Sequence, residues 1–135
     1  MITAVDTSVT LDILTAAPSF EPSLRIYRRC IAEGKLIACP IVWSELRPFF
    51  ATDRAMEIAL EKMHLVFDDF GQPVATQAGA FWQQYRKAKG PRERLVADFL
   101  IGAHALVKAD RLLTRDRGFY KTYFRELSIL DPTAA

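Results

Sequence analysis

Short apolar runs alternate with longer amphipathic stretches along the whole chain. The runs are rich in β-branched and large aliphatic side chains and predict five strands, at residues 2–5, 35–39, 65–67, 111–114 and 127–130. Strands that alternate with helices indicate βαβ units and a mostly parallel sheet covered on both faces. The pattern therefore predicts an α/β fold around a five-stranded, mostly parallel sheet.

Apolar residues between these runs recur every three or four positions, as on one face of a helix. Helices are predicted at about 9–15, from 21 or 22 to 32, from Pro40 onward, and at 53–63, 74–88, 95–108 and 118–124. Ser8 is the predicted N-cap of the first helix, because short hydroxyl side chains are favoured there. Gly34 is the predicted stop of the second.

The composition describes an ordinary globular protein. The chain has 135 residues, of which 50% are hydrophobic and 25% charged, which fits one domain over residues 1–135. No apolar stretch approaches the roughly 20 residues of a membrane span, and no leader pattern is visible, so we expect a cytoplasmic protein. The net charge of +2 does not by itself indicate a nucleic-acid partner.

Two carboxylates follow predicted strands. Asp6 comes directly after the first strand, and Asp116 lies two residues beyond the fourth. Ligands of open α/β sheets bind beyond the carboxyl ends of the strands, where the strand order reverses. If these two strands are neighbours at the reversal, both carboxylates project into one crevice.

Two further acids lie on predicted helices. Asp98 belongs to a helix that is apolar nearly all round, where a lone carboxylate needs a cation, a hydrogen-bond partner or a raised pKa. Alternatively, Asp98 caps the start of that helix near Leu95. Glu45 lies early in the helix after the second strand and is either a solvated first-turn acid or a member of the same site.

The four acids together would form a site of oxygen ligands only. Such sites suit hard cations such as Mg²⁺ or Mn²⁺ rather than zinc. His64 and His104 match no metal-ligand spacing and are expected to be packing or surface residues. A metal ion that activates water beside a phosphodiester is a standard arrangement for hydrolysing it.

Four sequence segments resemble those of one family. They read "AVDTSV", "WSEL", "VADFLIGAHAL" and "LLTRDRGFY", span residues 4 to 120 and occur in the family's order. Together they resemble the PIN-domain ribonucleases, and among these the VapC-type toxins of bacterial toxin–antitoxin pairs most closely. The resemblance implies a three-layer α/β/α sandwich and a Mg²⁺- or Mn²⁺-dependent endoribonuclease.

The resemblance also assigns roles to individual residues. The family's four catalytic, metal-site acids fall in order on Asp6, Glu45, Asp98 and Asp116. We expect the first and third to bind the ion directly or through water, and the second and fourth to hold its waters or a second ion. The supporting hydroxyl residues of the family fall on Ser8 and Thr114.

Partners follow from the same resemblance. It implies an RNA substrate, a homodimer and a cognate antitoxin protein that blocks the active site. Arg115 and Arg117 flank the fourth acid, and a basic run covers residues 86–94; each of these groups either contacts RNA phosphates or belongs to a solvated charged face. A different class stays open: a catalytically inactive PIN-like module that binds RNA or a partner protein.

Overall fold

Five short strands form one parallel sheet. The computed structural model of the chain describes residues 1–88 and 96–133. The strands are β1 (Ile2–Val5), β2 (Lys35–Ala38), β3 (Leu65–Phe67), β4 (Arg111–Leu113) and β5 (Ile129–Leu130). Their order across the sheet is β3-β2-β1-β4-β5, and every pairing is parallel. The strand order reverses between β1 and β4. This meets the condition under which the carboxylates that follow these two strands were expected to share one crevice.

Helices connect the strands and complete an α/β/α sandwich, which confirms the predicted fold class. They are α1 (Thr7–Thr15), α2 (Phe20–Glu33), α3 (Pro40–Leu46), α4 (Asp53–Lys62), α5 (Gln72–Lys87), α6 (Val96–Lys108) and α7 (Arg117–Tyr123), with a short 3₁₀ turn at Arg47–Phe49. The proposed capping of α6 near Leu95, and residues 89–95 of the basic run, lie outside the described residues.

The prediction that Ser8 caps the first helix is wrong. Asp6 is the N-cap: its backbone is extended, with φ −77° and ψ 154°, and its carboxylate accepts the N–H of Thr7. An acid at the end of a strand already has the extended backbone that an N-cap needs, so α1 begins at Thr7. Ser8 instead lies in the first turn.

The core holds the site-bearing elements in place. Val5 and Leu113, the last residues of β1 and β4, pair with each other and are almost completely buried. Helix α6 buries Phe99 and Ala103 and packs against β1, β4 and α3. In the described residues, no helix is long and apolar enough to cross a membrane.

Candidate active site at the carboxyl ends of β1 and β4

Asp6 is the most deeply buried of the four candidate site acids. It is 8% exposed, at the point where β1 meets α1. Its Oδ1 accepts the backbone N–H of Thr7 at 2.8 Å. Its Oδ2 accepts the hydroxyl of Thr114 at 2.7 Å and faces the hydroxyl of Ser8 at 3.4 Å. These contacts fix the direction of both oxygens.

The environment of Asp6 raises its pKa from 3.8 to about 6. Burial is the largest cause, because it penalises the charged form. The hydrogen bonds from Thr114 and Thr7 act in the opposite direction, whereas the negative charges of Glu45 and Asp116 raise the pKa further. Two other predicted site acids, Glu45 and Asp116, therefore act electrostatically on Asp6.

Glu45 reaches this edge from α3. Its side chain is exposed, and its Oε1 accepts the hydroxyl of Thr7 at 2.8 Å. Thr7 therefore links two acids, through its backbone N–H to Asp6 and through its side chain to Glu45. Sequence reasoning missed Thr7, because its contact with Glu45 spans 38 residues and no local pattern signals it.

Thr114 connects Asp6 with Asp116. The Thr114 hydroxyl donates to Asp6 and accepts the backbone N–H of Asp116 at 2.9 Å. Thr114 is completely buried, at the end of β4, and Asp116 is the N-cap of α7. The hydroxyl of Thr114 therefore holds the segments that carry Asp6 and Asp116 in a fixed position relative to each other.

Asp98 lies on α6 and is half-buried. Helix α6 packs against β1, which is followed directly by Asp6, and against α3, which carries Glu45. The predicted buried character of α6 holds for most of its length, but Val96 and Val107 are 38% and 46% exposed. The structure thus places the third predicted acid on a helix that contacts the elements of the first two.

The two candidate substrate-binding arginines have different surroundings. Arg115 forms an ion pair in which its Nε lies 2.6 Å from Oδ2 of Asp12. Asp12 is a buried carboxylate on α1 that sequence reasoning missed, although its apolar neighbours Leu11 and Ile13 were a usable signal. Arg117 is exposed in the first turn of α7.

A second buried polar pair lies at the end of β3. His104 is 1% exposed, and its Nε2 lies 2.8 Å from Oδ2 of Asp68. Burial lowers the pKa of His104, and the hydrogen bond to Asp68 opposes that shift. His64 is exposed on the turn before β3. Both histidines have the packing or surface positions that were expected.

The donors of the site fit a hard divalent cation. No three His, Cys, Asp or Glu side chains among residues 1–88 and 96–133 are grouped as a ready-made metal centre. A closed cage is the arrangement of structural zinc sites, whereas Mg²⁺ keeps several waters and binds through one or two carboxylates and substrate phosphates. The carboxylates of Asp6, Glu45 and Asp116 suit the second arrangement.

Comparison with known proteins identifies the family. Residues 3–125 match the PIN domain family, so the chain belongs to the PIN domain family. No curated protein matches the sequence.

Solved structures show the same fold over nearly the whole chain. VapBC-1 from nontypeable Haemophilus influenzae is 20% identical, with a TM-score of 0.76 over 99% of this chain and 100% of that one. A toxin–antitoxin complex from Klebsiella pneumoniae is 17% identical, with a TM-score of 0.66 over 98% and 99%. The Mycobacterium tuberculosis toxin VapC20, which cleaves the sarcin–ricin loop, is 16% identical, with a TM-score of 0.57 over 82% and 86%.

Proposed function

We propose that the protein is a metal-dependent endoribonuclease that hydrolyses RNA phosphodiester bonds and serves as the toxin of a type II toxin–antitoxin pair. The observation that carries this proposal is the pair of segments that Thr114 ties together. Asp6 and Asp116 lie beyond the carboxyl ends of neighbouring parallel strands at the reversal of strand order, and the charges of Glu45 and Asp116 both act on Asp6. Membership of the PIN domain family supports the same chemistry.

Each acid has a proposed part in holding Mg²⁺ or Mn²⁺. Asp6 and Asp98 would bind the ion directly or through water, and Glu45 and Asp116 would hold waters around it or a second ion. The ion, when bound, would supply water activation and neutralise charge on the scissile phosphate. The neutral hydroxyl of Thr114 orients Asp6 without cancelling its negative charge.

The supporting hydroxyl groups keep the acids oriented. Thr7 donates to Glu45, and Ser8 faces Asp6, so both residues of the first turn of α1 serve the site. Side chains held in this way lose little freedom when a substrate binds, which favours catalysis through positioning. These contacts support the proposal that Ser8 and Thr114 have the supporting roles that the family resemblance implies.

RNA is the proposed substrate, and its negative phosphates need positive groups near an acidic site. Arg117 is exposed one residue after Asp116 and suits a phosphate contact. Binding through such groups weakens as salt rises. The similarity to a toxin described as cleaving the sarcin–ricin loop supports RNA as the substrate class.

A protein partner belongs to the proposal as well. The similarity to structures such as the Klebsiella pneumoniae toxin–antitoxin complex supports a cognate antitoxin that covers the site. We further propose that the toxin is a homodimer and acts in the cytoplasm, where RNA is present.

The test is RNA cleavage by the purified chain, free of any partner. Total RNA is incubated with Mg²⁺, with Mn²⁺ or with EDTA, using wild type and Asp98→Asn. Asp53→Asn is the matched control, because Asp53 is an exposed acid on α4 that pairs with Arg47. We expect discrete, metal-dependent cleavage by wild type and control, and none by Asp98→Asn.

The contrary result has a clear meaning. If folded wild type neither cleaves RNA nor binds either metal ion, the nuclease proposal fails. The inactive binding module then becomes the better interpretation, and it is examined by measuring RNA binding in EDTA.

A further inference from the structure

Asp12 is a buried charged group outside the four proposed site acids. It lies on α1, six residues after Asp6, and is 3% exposed. Its Oδ2 accepts the hydroxyl of Ser23 from α2 at 2.9 Å and pairs with Nε of Arg115 at 2.6 Å. A carboxylate this deeply buried is strongly destabilising unless a cation and hydrogen bonds compensate it. Arg115 is that cation.

Arg115 occupies a sensitive place in the chain. It lies between Thr114, which donates to Asp6, and Asp116, whose N–H donates to Thr114. Its own backbone N–H faces the hydroxyl of Ser8 at 3.4 Å. The segment from Thr114 to Asp116 therefore has three attachments to α1 and its N-cap: to Asp6, to Ser8, and through the arginine side chain to Asp12.

The third attachment differs from the other two because it is an ion pair, in which both groups carry a charge. A charge-assisted bond at 2.6 Å is roughly twice as strong as a neutral hydrogen bond. Asp12 is itself held by Ser23, so the arginine is tied to a fixed point and not to a mobile surface acid. The Arg115 side chain is 38% exposed and that of Asp12 is 4% exposed, so the ion pair connects a partly exposed arginine to a buried carboxylate.

We propose that Asp12 and Arg115 are positioning residues, which hold the segment from Thr114 to Asp116 against α1 and thereby place Asp116 relative to Asp6. This inference rests on the proposed nuclease function of the same site. It assigns the Arg115 side chain to the ion pair with Asp12, so that Arg115 acts through Asp116 rather than through a contact with RNA phosphate. Loss of either partner releases the loop and weakens the site that needs both acids.

The experiment compares Asp12→Asn, Arg115→Gln and the double variant with wild type. Glu33→Gln is the matched control, because Glu33 pairs with Arg111 of the same strand β4 at 2.9 Å, at the opposite end of the strand. Three properties are measured for each protein: hydrogen exchange of the peptide that contains residues 114–116, affinity for Mg²⁺ as a dissociation constant, and RNA-cleavage kinetics as kcat and KM.

We expect both single variants to speed exchange in this peptide. We also expect about a 10-fold loss of Mg²⁺ affinity and of kcat, since removing groups that orient metal ligands has effects of that order. KM for RNA stays unchanged, and the double variant is no worse than either single one, because each change breaks the same contact. The control keeps wild-type values for all three properties.

Two results would overturn the inference. A raised KM in Arg115→Gln, with exchange, Mg²⁺ affinity and kcat unchanged, makes the arginine a substrate contact. Unchanged exchange and Mg²⁺ affinity in both single variants make the ion pair a feature of stability alone. If Asp12→Asn does not fold, Arg115→Lys replaces it; we expect this variant to speed exchange too, and wild-type exchange in it contradicts the proposal.

Failure of the nuclease proposal is distinguishable from failure of this one. If wild type cleaves no RNA, the nuclease proposal fails, but hydrogen exchange still shows whether the ion pair holds the loop. If wild type cleaves RNA and the variants behave as wild type, only the positioning role is lost.

Discussion

The hydroxyl of Thr114 donates a hydrogen bond to Oδ2 of Asp6 over 2.7 Å, across 108 residues of sequence. The bond joins the ends of two neighbouring parallel strands, β1 and β4. It also lowers the pKa of Asp6 against the larger effect of burial. Thr114 therefore affects both the direction of the buried carboxylate and the pH at which it is charged.

Replacing Thr114 by Val tests this dual role with little change in volume. The variant removes the donor to Asp6 and leaves the N–H of Asp116 without its acceptor, so unfolding should become easier by about 1–3 kcal/mol. We expect the pKa of Asp6 to rise further, and RNA cleavage to fall about 10- to 100-fold, the usual range for groups that orient metal ligands. Urea denaturation and single-turnover cleavage measure the two effects.

Thr122→Val is the matched control for that variant. The Thr122 hydroxyl is exposed and donates to the Gly118 carbonyl within α7. Its loss should leave cleavage unchanged. Equal activity of both variants would remove Thr114 from the site.

The raised pKa of Asp6 predicts a pH-dependent contribution to stability. The folded pKa of about 6 lies above the ordinary 3.8, so between these values the folded chain binds more protons than the unfolded chain. The contribution of Asp6 to the free energy of unfolding therefore falls as pH rises from about 4 to 6 and is constant above pH 6. The total change is about 3 kcal/mol. The charged, metal-free site is thus a destabilised one.

Asp6→Asn checks this prediction when unfolding is measured without divalent metal. The variant lacks this titrating carboxyl group. Its free energy of unfolding relative to wild type should therefore increase by up to about 3 kcal/mol between pH 4 and 6.5. Asp53→Asn on α4 supplies the comparison for an exposed acid. A stability difference between Asp6→Asn and wild type that is independent of pH would contradict the assigned cause.

The sequence predicted the framework of the site better than its internal contacts. All five strands followed from short β-branched runs between amphipathic stretches, because strand period and burial are local properties. That β1 and β4 are neighbours was only a condition of the argument, and the structure meets it. The position of Asp6 at a strand end was likewise visible. That Asp6 also caps α1 was not, since Ser8 is an equally good capping residue by type.

Contacts between distant residues explain what sequence reasoning missed. Thr7 with Glu45 and Asp12 with Arg115 join segments whose approach depends on how helices pack around the sheet. Side-chain type alone does not distinguish an arginine that pairs with a buried acid from one that is available to bind a substrate phosphate. For that reason the sequence leaves Arg115 open between a phosphate contact and a solvated charged face, and only the fold shows its ion pair with Asp12.

Asp68 offers a test of the buried pair with His104. Removing its carboxylate in Asp68→Ala leaves a nearly inaccessible imidazole without its partner, which should lower the free energy of unfolding by about 1–3 kcal/mol. The neighbouring Asp69→Ala is the control, because Asp69 is exposed and accepts the N–H of the adjacent Phe70. Equal stability of both variants in urea would show that the pair contributes little.

The last prediction concerns two glycines, for which replacement by alanine should change the free energy of unfolding in opposite directions. A Cβ on Gly102 of α6 would clash with the ring of the fully buried Phe124, so Gly102→Ala should destabilise the fold by about 1–3 kcal/mol through overpacking. A Cβ on Gly79 of α5 meets no atom of the described residues within 4 Å. Gly79→Ala should therefore stabilise by about 0.5–1 kcal/mol, because alanine loses less backbone freedom in a helix.

Denaturant unfolding of the two variants measures both signs in one assay. The result also bears on the site, since α6 carries Asp98 and packs against β1 and α3. If Gly102→Ala shifts α6 to relieve the clash with Phe124, RNA cleavage should fall along with stability, whereas Gly79→Ala should cleave as wild type does. Full activity in a destabilised Gly102→Ala variant would show instead that Phe124 moves and that α6 keeps its place against the sheet.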